Sequence, residues 1–207
     1  MTGRTSQNVP YANASDALVD YPPVSQEVAG LVRLAPAAIG NVLPPGTFDG
    51  QELLLDLTPG GGARTLWRVR WSVSLARWAF IGGSPMFARN DGAFSTVTTW
   101  SPVSGISMVV PTPGRYSCRW GAETGFNAGT YVTVGVIGPG VAITDYNPPQ
   151  VQSAASAGYA QVGTQREFVF TGAGPVGTIS MVASSSVAGM TMQRVFLEVR
   201  PVYLGGA

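Results

Sequence analysis

The chain is 207 residues long, enough to bury a substantial core in one domain, and only 11% of its residues are charged, against roughly 25% in an ordinary soluble domain. Its net charge is +1 and its twelve basic residues are all Arg, scattered from Arg4 to Arg200, which disfavours a nucleic-acid partner because displacing phosphate counterions takes a concentrated positive stripe. There is no His, which excludes Ser-His-Asp hydrolysis, Cys-His proteolysis and His-based zinc sites.

Residues 1 to about 21 are small and polar without periodicity and read as an extended arm. Met1 to Asn13 lacks the apolar stretch of a signal peptide, and no apolar run approaches the length of a membrane span; the expectation is synthesis in a cytoplasm and no membrane insertion. Tyr21-Pro22-Pro23 then sets up a helix, since proline is tolerated in a first turn where its missing N–H goes unpaired anyway. Val24, Val28, Leu31, Val32 and Ala35 follow at helical spacing and form one apolar stripe. So short a helix is marginal in water and must dock, either on its own domain or on a partner subunit. Pro36, Pro44, Pro45, Gly46 and Gly50 mark residues 36–50 as a linker. The chain thus divides into residues 1–45, an arm, short helix and linker, and residues 46–207, a β domain.

Trp67, Val69, Trp71, Val73 and Leu75 alternate with Arg68, Arg70, Ser72 and Ser74, the pattern of a strand with one buried face. Strands are expected near 51–57, 65–81, 94–100, 104–110, 114–122, 129–138, 159–170, 177–184 and 190–204. Turn signals separate them, among them Gly82-Gly83-Ser84-Pro85, Asn90-Asp91-Gly92 and Gly138-Pro139-Gly140, and residues 144–158 read as a longer polar loop. Short strands with frequent Gly/Pro turns, and no second helical pattern, predict an all-β fold: an antiparallel β-sandwich of the jelly-roll kind.

Candidate chemistry is sparse. Cys118 alternates with Tyr116 and Trp120 on one face of a strand and reads as a small core hydrophobe, with no His or Lys to activate it. Gly172-Ala173-Gly174-Pro175-Val176-Gly177 has dinucleotide-fingerprint spacing, but Thr178-Ile179-Ser180-Met181 continues as a strand where the pyrophosphate site needs a helix, so a hairpin loop is expected. Asp49, Glu52 and Asp56 are the densest acidic group; a solvated strand face explains them better than a glycosidase acid/base pair. Asn90-Asp91-Gly92 reads as a tight turn rather than part of a calcium loop. Trp67, Trp71 and Trp120 are assigned to the core. Trp78 and Trp100, near strand ends, are the candidates for exposed aromatics that stack on sugar or anchor an interface. No cofactor or metal site and no catalytic residues are expected, and the protein is read as a non-enzyme.

Ser15-Asp16-Ala17-Leu18-Val19-Asp20-Tyr21-Pro22-Pro23-Val24-Ser25-Gln26-Glu27-Val28-Ala29 resembles the opening element, "gDALVDYP-VS-elA", of tailed-bacteriophage virion proteins, particularly minor tail and fibre proteins of actinobacterial phages. In those proteins the element precedes a linker and a distal domain. Pro111-Thr112-Pro113-Gly114-Arg115-Tyr116-Ser117-Cys118-Arg119-Trp120 resembles the "P-PG-Y-v-W" strand of jelly rolls related in shape to C1q and tumour necrosis factor, and Val195 to Leu204 is similar to the last strand of phage distal domains.

The resemblance implies a structural virion component, a minor tail or short-fibre protein on the particle surface. Its arm and helix would attach to other virion subunits through Tyr21, Val24, Val28, Leu31 and Val32, and its sandwich would face outward for host attachment. Homotrimerisation is expected, because jelly rolls of the resembled type pack around a threefold axis and so hide apolar surface that sparse charge cannot solubilise. Two other roles fit the same sequence: a capsid decoration protein, and a carbohydrate-binding module recognising host-surface glycan.

Overall fold

A computed structural model describes residues 3–4, 10–11, 33–36, 43, 46–57, 65–127, 129–152, 158–171 and 177–205. Among these the regular structure is strand, with one short 3-10 turn at Ile143–Asp145. Tyr21, Val24, Val28, Leu31 and Val32, the expected attachment stripe, lie outside the described residues. Ala35, the last position of that stripe, is not helical: it falls in a strand.

The strands are β1 (Gly3–Arg4), β2 (Pro10–Tyr11), β3 (Arg33–Pro36), β4 (Glu52–Asp56), β5 (Leu66–Ser72), β6 (Arg77–Gly83), β7 (Met86–Asn90) and β8 (Phe94–Ser95). They continue with β9 (Ser101–Val109), β10 (Gly114–Phe126), β11 (Tyr131–Ile137), β12 (Gln150–Gln152), β13 (Gly158–Phe170), β14 (Thr178–Ser185) and β15 (Thr191–Leu204). The first sheet runs β13-β10-β15, and the free side of β15 is shared along its length by β8, β7 and β6; from β6 the sheet continues through β5 and β4 to β3. The second sheet runs β12-β11-β14-β9. Numbering the eight strands β7 and β9 to β15 from one to eight, the two sheets read 1-8-3-6 and 2-7-4-5, the order of a jelly roll, so the expected antiparallel sandwich is the fold. One pairing departs from antiparallel: β3 runs parallel to β4, which carries the first sheet back across the boundary read at residue 45.

Alternation builds the interior. Tyr116, Cys118, Trp120, Ala122 and Thr124 of β10 face inward, as do Val195, Leu197 and Val199 of β15, and all are buried. A relay of rings crosses the core: Trp67 lies 6.2 Å from Tyr116, Tyr116 5.6 Å from Phe170, Phe170 6.1 Å from Phe168, and Phe168 5.9 Å from Trp120. Each buried ring contributes on the order of 1.5–3 kcal/mol from area alone. Trp120 Nε1 of β10 donates a hydrogen bond to the Val134 carbonyl of β11 and so ties the layers together, and the Tyr146 hydroxyl, beyond β11, donates to the Val136 carbonyl. Cys118 is a free, fully buried thiol, and burial pushes its pKa up to about 12.

The structure revises three boundaries. Residues 65–81 form a hairpin rather than one strand: the chain turns at Val73–Ala76, Ala76 has φ 49°, and Asp49 Oδ1 accepts a hydrogen bond from the Val73 amide. Val73 and Leu75, expected in the core, sit in that turn and are exposed. The expected polar loop 144–158 contains the short edge strand β12. Residues 172–176, the expected hairpin loop, lie outside the described residues; the strands on either side, β13 and β14, belong to opposite sheets and do not pair with each other.

Candidate functional site

The side chains of β10 that turn away from the core are Arg115, Ser117, Arg119, Gly121 and Glu123. Sheet register fixes what stands beside them. Gly121 lies opposite Gly163 of β13 on one side and Phe196 of β15 on the other, and Phe196 in turn lies opposite Arg89 of β7. The two neighbouring rows run Gln165–Arg119–Glu198–Phe87 and Gln161–Glu123–Gln193.

Because glycine has no side chain, the central row is a trough in the sheet face. A Cβ on Gly163 would stand 2.7 Å from the Trp120 carbonyl oxygen, and one on Gly121 would stand 2.9 Å from Phe196 Cε1, so the Phe196 ring lies down over Gly121. The hollow holds about 480 Å³, and a second of about 280 Å³ stands on the β7 side. Arg119, Arg194 and Phe196 line both.

Arg194 reaches the trough through a backbone irregularity. The β10–β15 register slips between Gly121 and Glu123, a β-bulge, and Arg194 stands in it with φ 52°. A bulge re-aims a side chain, and the left-handed conformation is one that glycine adopts at least cost. The guanidinium Nη1 lies 2.8 Å from Glu123 Oε2, while Gln193 Nε2 donates to Glu123 Oε1 at 3.0 Å, so the Glu123 carboxylate is held on both oxygens.

Arg119 is placed differently. Its Cζ lies 5.6 Å from the centre of the Phe196 ring, and it makes no ion pair or hydrogen bond among the described residues. Phe196 is in turn stacked with Phe87, centroids 6.4 Å apart and planes 23° apart, and Phe87 is 56% exposed. Gln165 Nε2 donates to Ser117 Oγ, which turns its amide along the trough wall.

The residues singled out from the sequence fall elsewhere. Trp78 is buried: the turn at 73–76 folds β6 back so that Trp78 packs on Trp71 with centroids 5.3 Å apart, which removes it as an exposed ligand aromatic. Trp100 is exposed, between β8 and β9, and does not line the trough. Trp67, Trp71 and Trp120 are in the core as expected. Asp49 caps the hairpin turn, and Glu52 lies between Arg68 and Arg70, whose hydrogen bonds, that from Arg70 foremost, hold its carboxyl below the ordinary glutamate range. These two carboxylates are thus committed to structure. Asn90-Asp91-Gly92 is a turn in which Asn90 Oδ1 accepts from the Gly92 amide, and among the described residues no cluster suited to a metal ion forms.

No protein-family model matches this sequence, and no curated protein matches it. Among solved structures the chain is similar to the carbohydrate-binding module CBM6cm-2 from Cellvibrio mixtus lichenase 5A, solved in complex with cellotriose; identity is 11% and the TM-score 0.26, over 72% of this chain and 86% of that one. Among the described residues no helix is long and apolar enough to cross a membrane.

Proposed function

We propose that this chain is a non-catalytic structural component of a tailed-phage particle, of the minor tail or short-fibre kind, whose jelly-roll head serves host attachment. The observation that carries the reading is the Ser15–Ala29 element standing ahead of a Pro/Gly-rich stretch and a β-sandwich. The trough adds support: it presents polar and aromatic side chains on an open sheet face, the arrangement of a binding surface, and its glutamates are occupied by hydrogen bonds from Gln193, Arg194 and Arg200. The low charge of the whole chain suits a subunit packed among others, and a homotrimer is the assembly we propose for it. Capsid decoration is the second reading within the same class and differs only in where the protein sits.

The test is incorporation. Val28→Asp and Leu31→Asp, each in the full chain, are expected to leave the melting temperature of the β domain unchanged and to abolish incorporation into particles. Normal incorporation of both variants overturns the attachment role of that stripe. Light scattering of the purified protein checks the trimer: a mass of one chain contradicts it.

A further inference from the structure

Three features of the outer face of the first sheet carry a stability cost that the contacts within the fold offset only in part. Gly121 and Gly163 stand opposite each other inside long strands, where glycine loses conformational entropy and offers no side chain to pack. Arg194 occupies a left-handed position that glycine would fill more cheaply. Arg119 lies over an aromatic ring with no carboxylate partner among the described residues. All three line one trough that is open to a ligand: the exposed Gly163 leaves the sheet face bare beside the Phe196 ring, the bulge brings Arg194 to the wall, and Arg119 keeps its donors free.

The shape and charge of the trough restrict that ligand. It crosses four strands, β13, β10, β15 and β7, a span of roughly 14 Å at the usual strand spacing, so it fits a narrow extended chain. A flat protein partner would need a broad contact, and the trough is narrow, with Arg119, Glu123, Arg194, Gln161 and Gln165 along its walls. Arg194 is committed to Glu123, Arg89 to Asp91 and Arg200 to Glu198, which leaves Arg119 as the uncommitted cation among the described residues of the trough. A nucleic acid, with a charge on every unit, would meet too few free cations. A chain with a sparse negative charge matches. Arg119 Cζ lies 5.6 Å from the centre of the Phe196 ring and its guanidinium makes no hydrogen bond among the described residues, so its N–H groups are available to the two oxygens of a planar or tetrahedral oxyanion. Along the same row the exposed Phe87 ring offers a platform for the C–H face of a sugar, and the amides of Gln165 in that row and Gln161 across the trough offer donors and acceptors to hydroxyls.

We propose that the trough binds an anionic polysaccharide strand, with Arg119 paired to a carboxylate or phosphate of the chain and Phe87 stacked under a neighbouring sugar ring. This rests on reading the sandwich as an attachment head and names what the head attaches to.

The experiment is affinity electrophoresis and titration calorimetry of the full chain with three polymers: polygalacturonate, a glycerol-phosphate teichoic acid, and neutral amylose. At least one acidic polymer is expected to bind and amylose to bind at least tenfold more weakly; which acidic polymer is preferred separates carboxylate from phosphate. Arg119→Gln and Phe87→Ala are each expected to weaken binding at least tenfold with unchanged melting temperatures, Arg119→Lys to lie between, and Arg68→Gln, on β5, to have no effect. Equal binding of all three polymers, no binding of either acidic one, or equal losses in Arg68→Gln and Arg119→Gln overturns the site. Dissociation of an oligomer by Phe87→Ala without glycan binding also overturns it, by assigning the face to a subunit contact. A protein found in particles that binds no acidic polymer defeats this inference alone. Acidic-polymer binding by a protein absent from particles defeats the virion reading alone.

Discussion

Arg194 occupies a left-handed backbone position on β15 and from there its guanidinium reaches Glu123 on β10, Nη1 to Oε2 at 2.8 Å. The contact is exposed on the arginine side, so it contributes under about 1 kcal/mol, no more than the roughly 1–2 kcal/mol a non-glycine residue loses in that conformation. A series at this one position separates the two terms. Arg194→Gly is expected to melt within a few degrees of the parent or above it, Arg194→Ala below Arg194→Gly, and Arg194→Val lowest because a β-branched side chain tolerates positive φ worst. Thermal denaturation of the three variants checks the order; Val melting above Gly would contradict the bulge geometry.

Thr112 offers a gain in stability. Its carbonyl accepts a hydrogen bond from the Tyr116 hydroxyl at 2.6 Å, but its own Oγ1 is buried with no partner among the described residues. Replacing an unsatisfied hydroxyl with a methyl removes a desolvation cost, so Thr112→Val is expected to gain about 1 kcal/mol. Tyr116→Phe, which strands the Thr112 carbonyl, is expected to lose about 1–2 kcal/mol. Urea unfolding measures both, and a loss in Thr112→Val contradicts the assignment.

The acid side of the stability profile depends on Glu52. Hydrogen bonds from Arg70 and then Arg68 hold its carboxyl below the value of 4.5 it has in the unfolded chain, against an opposing contribution from burial. A carboxyl lowered on folding stabilises above its unfolded pKa, and that contribution disappears as pH falls through the folded one. The stability difference between the parent and Glu52→Gln is therefore expected to be constant near neutrality and to shrink below about pH 4.5. A difference that grows on acidification contradicts it.

Cys118 governs an alkaline window. Burial raises its pKa from 9.0 to about 12, so the unfolded chain releases the thiol proton first and stability attributable to this group falls as pH rises from 9 toward 12. Cys118→Ala is expected to remove that part of the slope. At about pH 8 the native protein is expected to resist a thiol reagent that modifies the unfolded chain completely; fast labelling of the native protein would contradict the burial.

The sandwich was legible because Trp67, Val69 and Trp71, and again Tyr116, Cys118 and Trp120, alternate cleanly with polar neighbours. The turn at 73–76 was not, because Val73 and Leu75 keep the same parity with no Gly, Pro or Asn to mark a break, and the reversal is set by Asp49 from 24 residues upstream. That one turn also decides the fate of Trp78, which faces outward on a continuous strand and inward on a hairpin. The trough was hidden for a different reason. Its residues come from 87–89, 119–123, 161–165 and 194–198, and only the register of four strands puts them side by side. The local trace is a glycine inside each of two strand patterns, Gly121 and Gly163, a sign of close backbone approach that names no ligand.

The most direct test of the virion account is a cryo-EM reconstruction of particles made from the genome that encodes this chain. The account predicts sandwich-shaped density at the tail, with the Tyr21–Val32 stripe against neighbouring subunits and the Gly121–Gly163 face turned outward. Particles lacking the protein, or holding it with that face buried against the particle, would contradict it.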